Sequence, residues 1–553
     1  MDVREDLESV RRTKGRFKAL YNKRSPFVEK WKEIRDYEQP HYGDFDDEDN
    51  SQPTDHTQHI FNGLAEECSR TFAAGMLSGL TPPSRQWFKL GLVGSGDTPL
   101  RRVVDVRQQI MENVYARSNF YNAVHQGYGD LPFGQSPLGI FSAHGTVEFV
   151  QYPIGSYAME VNAMGIVNVF ARKSQMNAAQ IAEQFGEDHC PQIVKTALRN
   201  GSTYDKNFTV CWMVEPNPKQ IRDQLGTKKM PFRSMYWVEG TADSEVLAVT
   251  GFEECPIACA RYQVKGNCPY GFGAGWYALP DSKMLQKMQF DLLMAEELTV
   301  KPPMQASAAT AQRVNLVPAG VTVIEQQDYV KPLFQVQMDM NSISQEMQNV
   351  QQRIKAAYAA DLFSMLSSME NKDMTASEVI ARQQETLSLL GPITERLHHE
   401  FLNVIMDRVY NILQRTGVFP PIPPDMMSNG EELKVEYISP LAQAQKMSAL
   451  TGITQAVSFL GQMAQFNPGL IDKMDLEKTI EDYNDRLGIP ASLTRSSDEY
   501  SQIQQDKAKA QAEQAQQQAA VQQAAPLAQA AKNLTEAANA GNPALQEWMG
   551  MQK

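Results

Sequence analysis

Residues 282–300 place the tightest constraint on what this chain can fold into. After Pro280-Asp281, the apolar side chains Met284, Leu285, Met288, Phe290, Leu292, Leu293, Met294 and Leu298 fall on nearly every side of a helix that Pro302-Pro303 then ends. A helix with so little polar face has to be covered on most sides, by its own chain or by copies of itself. The next helical pattern begins at residue 341, where Ile343, Met347, Val350, Ile354 and Tyr358 recur at steps of three and four as a one-sided stripe. Between the two patterns, strand-like runs occupy 313–317, 320–325 and 332–337.

The stripe stops at Ser367-Ser368-Met369-Glu370-Asn371-Lys372-Asp373. A capping box, Thr375-Ala376-Ser377-Glu378, then restarts a helix, because hydroxyl and carboxylate each accept a backbone N–H at its first turn. That helix carries Val379, Leu387, Leu390, Ile393, Leu397, Phe401, Ile405, Val409 and Ile412, and Thr416-Gly417 with the following prolines ends it. Helix, short polar loop, helix is an arrangement that displays a loop from a rigid frame.

Elsewhere the fold class reads as α+β. Residues 4–38 look helical in two pieces, the second opened by Ser25-Pro26 and burying Phe27, Trp31 and Ile34. The acidic run Asp44-Phe45-Asp46-Asp47-Glu48-Asp49 has no apolar period and reads as a solvated loop. Helices are expected at 59–79 and 98–117. From about 137 to 265 the texture turns to β, with strands at 146–150, 166–170, 208–214 and 235–250, and a short helix near 176–186. Further helices are expected near 440–465 and 475–487. Ser496-Ser497-Asp498-Glu499 then opens a Gln/Ala-rich tract that reads as a long exposed helix interrupted at Pro526.

With 553 residues and 42% hydrophobic content the chain has material for several cores. No run reaches the ~18 apolar residues of a membrane span, and the start Met1-Asp2-Val3-Arg4-Glu5-Asp6 lacks the order of a signal peptide, so a protein that is cytosolic, or assembled in a cytosol, is expected. Six cysteines are too sparse for a disulfide scaffold. A net charge of −13 means that phosphates can be met only by a local patch, which disfavours tight open-faced DNA binding and does not exclude a protein through which DNA slides.

Catalytic signatures are missing. There is no phosphate-cradling Gly-x-x-x-x-Gly-Lys-Ser/Thr, no Gly-x-Ser-x-Gly elbow and no His-Glu-x-x-His. Cys255 and Cys259, with Cys268 beyond, lack the second ligand pair of a zinc site and read as buried thiols. His398-His399 with Glu395 and Glu400 put a His and a carboxylate one turn apart, a pattern more often solvated than metal-bound. The expectation is a protein without catalytic residues, metal or cofactor.

Several stretches resemble the head-to-tail connector, or portal, family of short-tailed bacteriophages. They are Phe61-Asn62-Gly63-Leu64-Ala65 with Ala73-Ala74-Gly75-Met76-Leu77-Ser78-Gly79-Leu80-Thr81-Pro82-Pro83-Ser84-Arg85-Gln86-Trp87-Phe88, then Met374-Thr375-Ala376-Ser377-Glu378-Val379, Leu390-Gly391-Pro392 through Arg396-Leu397 and Glu400, and Leu487-Gly488-Ile489-Pro490. One departure is Phe272 in Tyr270-Gly271-Phe272-Gly273-Ala274, where the family commonly has an Arg.

The resemblance implies a wing (1–280, with a kinked helix at 375–425), stem helices (281–300 and 341–360), a clip (301–340), a tunnel loop (361–374), a crown (426–495) and a C-terminal helical barrel (496–553). It implies a dodecameric ring at a capsid vertex of the virion, assembled in the host cytoplasm. Double-stranded DNA would pass through it without sequence preference. The large terminase subunit, a tail adaptor and the major capsid or scaffolding proteins would be partners, with no membrane contact. Arg353, Lys355 and Lys372 become candidates for contacting DNA in the channel, because a ring repeats each lumen charge in every subunit. Ser367, Ser368, Met369, Glu370, Asn371 and Asp373 would complete the tunnel loop. Two other classes stay open on the residues: a coiled-coil scaffold or adaptor of the virion, and a metal-dependent hydrolase.

Overall fold

A single helix, α1 (Leu7–Glu38), opens the fold. In the computed structural model, the residues described are 7–45, 56–92, 98–143, 146–217 without 202 and 205, 230–306, 330–333, 340–368, 390–421 and 433–439, plus isolated positions. α1 runs through Pro26 unbroken, not in the two pieces expected from Ser25-Pro26. Proline removes one intrahelical bond, but Val10, Phe17 and Leu20 before it and Val28, Trp31 and Ile34 after it are all buried, and that burial outweighs the loss.

α1 lies on a five-stranded antiparallel sheet of order β4-β5-β6-β7-β8, where β4 is Tyr157–Val161, β5 Val167–Asn177, β6 Asn207–Pro216, β7 Phe232–Val238 and β8 Ala248–Phe252. Side chains alternate across the sheet. On β6, Cys211 and Met213 join the N-terminal half of α1, while Trp212 and Val214 join Trp31, Ile34, Phe133, Tyr157 and Phe170 on the other face. Both faces are covered, which explains why β6 reads as an unbroken apolar run. Two short helices, α5 (Ala178–Phe185, with an Asn177–Gln180 capping box) and α6 (Gln192–Arg199), cover one end of the sheet.

The largest core is helical. It gathers α2 (Leu64–Leu80), α3 (Thr98–Arg117) and α4 (Phe120–Asp130) against the sheet β3-β2-β9, made of Thr146–Gln151, Gln135–Ala143 and Ile257–Arg261. A further antiparallel pair joins β1 (Phe88–Leu92) to β12 (Leu433–Tyr437), with Trp87 stacked on Tyr437.

α7 spans Ala274–Val300, two turns longer at its start than the Pro280-Asp281 signal implied. Ala274, Gly275, Ala278 and Leu279 are buried, so tertiary packing extends the helix upstream of Pro280. Just before it, Gly271 and Gly273 pass so close to the backbone of Gly134, Leu131 and Pro132 that a Cβ would overlap it. Phe272 packs edge-on to Trp276. α8 is Met340–Ala357; Ala359 then turns the chain at φ +50°, and α9 (Ala360–Ser368) follows. Residues 390–397 are helical and pass through a π-helical turn, His398–Leu402, into the helix Asn403–Arg415, which ends at Gly417 with φ +71°.

In the region between α7 and α8, an antiparallel pair of β10 (Met304–Ala306) and β11 (Val330–Pro332) is described, while the strands expected at 313–317, 320–325 and 332–337 lie almost wholly outside the described residues. So do the Thr375 capping box, the helices expected at 440–465 and 475–487, and most of the Gln/Ala tract. The chain divides into two units, Met1–Ile453 and Thr454–Lys553; in the second, positions 503, 507, 509, 529–533 and 536 are helical. Asp44 and Phe45 are not solvated as expected of the acidic loop. Arg35 pairs with Asp44, and Phe45 is buried against Phe133, while 46–49 lie outside the described residues. Among the described residues no helix is long and apolar enough to cross a membrane.

Candidate functional site

The residues singled out from the sequence gather around α7, α8 and α9. α7 and α8 pack together because Leu285, Met288 and Leu292 of α7 share one core with Ile343, Met347, Val350 and Ile354 of α8. Arg353 ties the pair at its edge: Nε and Nη2 both donate to Asp281 Oδ1, at 3.0 and 2.9 Å. That hydrogen bond holds the Arg353 pKa above its ordinary value. Arg353 therefore already has an anion within its own chain. Lys355 projects from a different side of α8, half-buried and near enough to Cys68 to act on that thiol's ionisation.

Ser367 and Ser368 end α9 rather than lying in a loop. The expected loop at 361–374 is helical through residue 368 because Leu362 and Phe363 are buried, Phe363 edge-on to Phe72 and directly over Gly75. Met369, Glu370, Asn371, Lys372 and Asp373 lie outside the described residues.

Sequence reasoning missed the junction that holds these helices. Glu38, at the end of α1, is fully buried; Tyr358 Oη donates to its Oε2 at 2.6 Å and Ser282 Oγ to its Oε1 at 3.1 Å. Gly275 leaves the room that the carboxyl occupies. Burial raises the Glu38 pKa to about 8, with the two hydrogen bonds pulling the other way. One side chain thus joins α1 to both α7 and the end of α8. Asp130, bonded to Gln151 and near Tyr42, is a second buried carboxyl raised to about 8 by desolvation.

The outward faces of the two long helices differ in chemistry. On α7, Phe290, Leu293 and Met294 are 39–45% exposed and Val300 is 77% exposed, with exposed Phe61 packed beside Phe290. On α8, the face opposite Met347, Val350 and Ile354 is Gln345, Gln348, Asn349 and Gln352, all exposed. The same step of three and four that reveals the buried stripe contains this second one.

Among the described residues no group of three His, Cys, Asp or Glu could hold a metal ion. His398 stacks on Tyr437 at 4.3 Å, and Glu400 pairs with buried Arg261 at 2.7 Å and with Arg396 at 3.1 Å. Cys259 is buried with its Sγ 3.4 Å from Met159 Sδ, and burial pushes its pKa up to about 12, so it is a thiol.

Three comparisons with known proteins bear on this arrangement. A family model described as bacteriophage head to tail connecting protein matches residues 10–494. The chain is 33% identical over 539 residues to the portal protein of Salmonella phage epsilon15, covering 95% of each. It is 30% identical over 509 residues to the probable portal protein of Bordetella phage BPP-1, covering 90% of this chain and 91% of that one. Among solved structures, a chain from the neck of an empty GTA particle aligns with a TM-score of 0.34 at 9% identity, covering 72% of this chain and 88% of that chain.

Proposed function

Because this chain belongs to the bacteriophage head-to-tail connecting proteins, and is a phage portal protein, we propose that its copies close into a dodecameric ring at one capsid vertex. Double-stranded DNA enters through the ring during packaging and leaves through it during ejection. The role is structural. The observation that carries the ring is the outward face of α7, where Phe290, Leu293, Met294 and Val300 remain in water within a single copy. A face of this kind is stabilised by burial against another copy, and a head-to-tail contact that closes on itself gives a ring.

In this reading, α7 and α8 are the stem, with the first turns of α7 anchored in the wing through Gly275 and Glu38. Residues 1–280 and 375–425 form the wing, and 301–340 the clip that meets the large terminase subunit and later the tail adaptor. Residues 369–374 are the tunnel loop, 426–495 the crown and 496–553 a helical barrel. The major capsid or scaffolding proteins are further partners at the vertex, and assembly takes place in the host cytoplasm before the ring is built into the virion. Lys372 is the cation we assign to the duplex, through phosphates and without base reading. Arg353 already neutralises Asp281, and Lys355 is half-buried, so each contributes less.

Negative-stain imaging of the purified chain tests the reading: rings with a central hole are expected, and rods or small oligomers would point instead to a scaffold or adaptor. Deleting 369–373 should leave rings intact while impairing packaging or retention of DNA. Loss of ring assembly in that deletion would contradict the loop assignment.

A further inference from the structure

We infer that the exposed amide stripe of α8, carried by Gln345, Gln348 and Gln352, is the surface that meets the moving duplex, and that its lack of charge is what lets DNA slide. The inference rests on the portal reading and adds which residues face the DNA and why they are amides. Gln345, Gln348, Asn349 and Gln352 recur at three and four residues and lie opposite the side chains that bury α8 in its own subunit. The two outward faces of the stem therefore make opposite demands. The apolar face of α7 needs cover, and the neighbouring copy provides it; the amide face of α8 is content in water and is left for the hole.

An amide donates hydrogen bonds to phosphate oxygens yet carries no charge to trap them. A cationic ring would release counterions and bind the polyanion tightly, with strong dependence on salt. Spacing reinforces the effect. Turns of α8 repeat at about 5.4 Å, whereas the duplex rises about 3.4 Å per base pair, so contacts along the stripe do not all engage at one position of the DNA. Of the charged side chains beside the stripe, Arg353 pairs with Asp281, and Glu346, which accepts from Asn349 at 3.3 Å, keeps a negative charge that repels phosphate rather than holding it.

The test compares three proteins with the wild type. One carries Gln345→Lys, Gln348→Lys and Gln352→Lys; a second carries alanine at the same positions; a control carries Gln192→Lys and Asn200→Lys at exposed positions in and just after α6. Each is imaged for rings, and its affinity for a short labelled duplex is measured by fluorescence anisotropy across a salt series. We expect rings in every case. The stripe-lysine rings should bind the duplex about tenfold or more tightly than wild type at low salt, with an advantage that vanishes as salt rises. The control should match wild type. Equal affinity of stripe-lysine and control rings would overturn the inference, and so would loss of rings in the alanine variant, which would make the stripe a subunit contact. Absence of rings from the wild type would instead overturn the portal reading beneath it.

Discussion

Glu38 carries a chemistry that its sequence neighbourhood does not announce. The folded protein keeps its proton up to about pH 8, whereas an exposed carboxyl releases it near 4.5. The stabilisation is therefore complete below about pH 4.5 and is lost progressively as pH rises through about 8. Asp130 adds a loss of the same sign. Thermal melts between pH 5 and 8.5 should show the melting temperature falling with pH, less steeply in Glu38→Gln, and nearly flat from these groups in the pair Glu38→Gln with Asp130→Asn. Glu38→Ala should cost about 1–3 kcal/mol by chemical denaturation, since Tyr358 and Ser282 would keep buried hydroxyls without that partner. None of this was legible in Asp36-Tyr37-Glu38-Gln39, which reads as the polar end of a helix. Three elements far apart in sequence must meet before the carboxyl is desolvated. Arg353 shows the same limit: its place on a helix was readable, and its partner Asp281 was not.

At the scale of elements, the Gly75–Phe363 contact and the turn at Ala359 make separate predictions. A methyl at Gly75 would overlap the Phe363 ring. Gly75→Ala should destabilise by about 1–3 kcal/mol despite a helix-propensity gain of about 1 kcal/mol. Adding Phe363→Ala should cost less than the two changes summed, a coupling that a double-mutant cycle measures. Ala359 sits in the left-handed region at φ +50°, a cost of about 1–2 kcal/mol that glycine avoids, against about 0.5–1 kcal/mol of added chain entropy. Ala359→Gly should hold or slightly raise the melting temperature, and Ala359→Val should lower it. The sequence located α2, α3, α7 and α8 because apolar periodicity is a local signal, and it did not announce α4, α6 or α9. It misled at Pro26 and Pro280, where proline's local penalty is outweighed by burial on both sides, and at 361–368, where Leu362 and Phe363 belong to the core.

For the whole molecule, the unusual apolarity of 284–298 was readable at once, and its outward half is what a single copy leaves in water. Leu293→Glu with Met294→Glu should yield a folded chain, by circular dichroism, that sediments as monomer instead of assembling, because a charge on each copy would be buried at every contact. Family motifs made the family readable, whereas the exposed face of α8 required knowing which side its own subunit covers. The pairing of β1 with β12 bears on how such a chain is made. Phe88 lies opposite Tyr437, so the first strand waits for a partner translated some 350 residues later. At about 5–20 residues per second, that interval is on the order of tens of seconds on the ribosome. The nascent chain cannot pair β1 until α7 and α8 have already emerged, so its own body closes late in synthesis rather than strand by strand from the start.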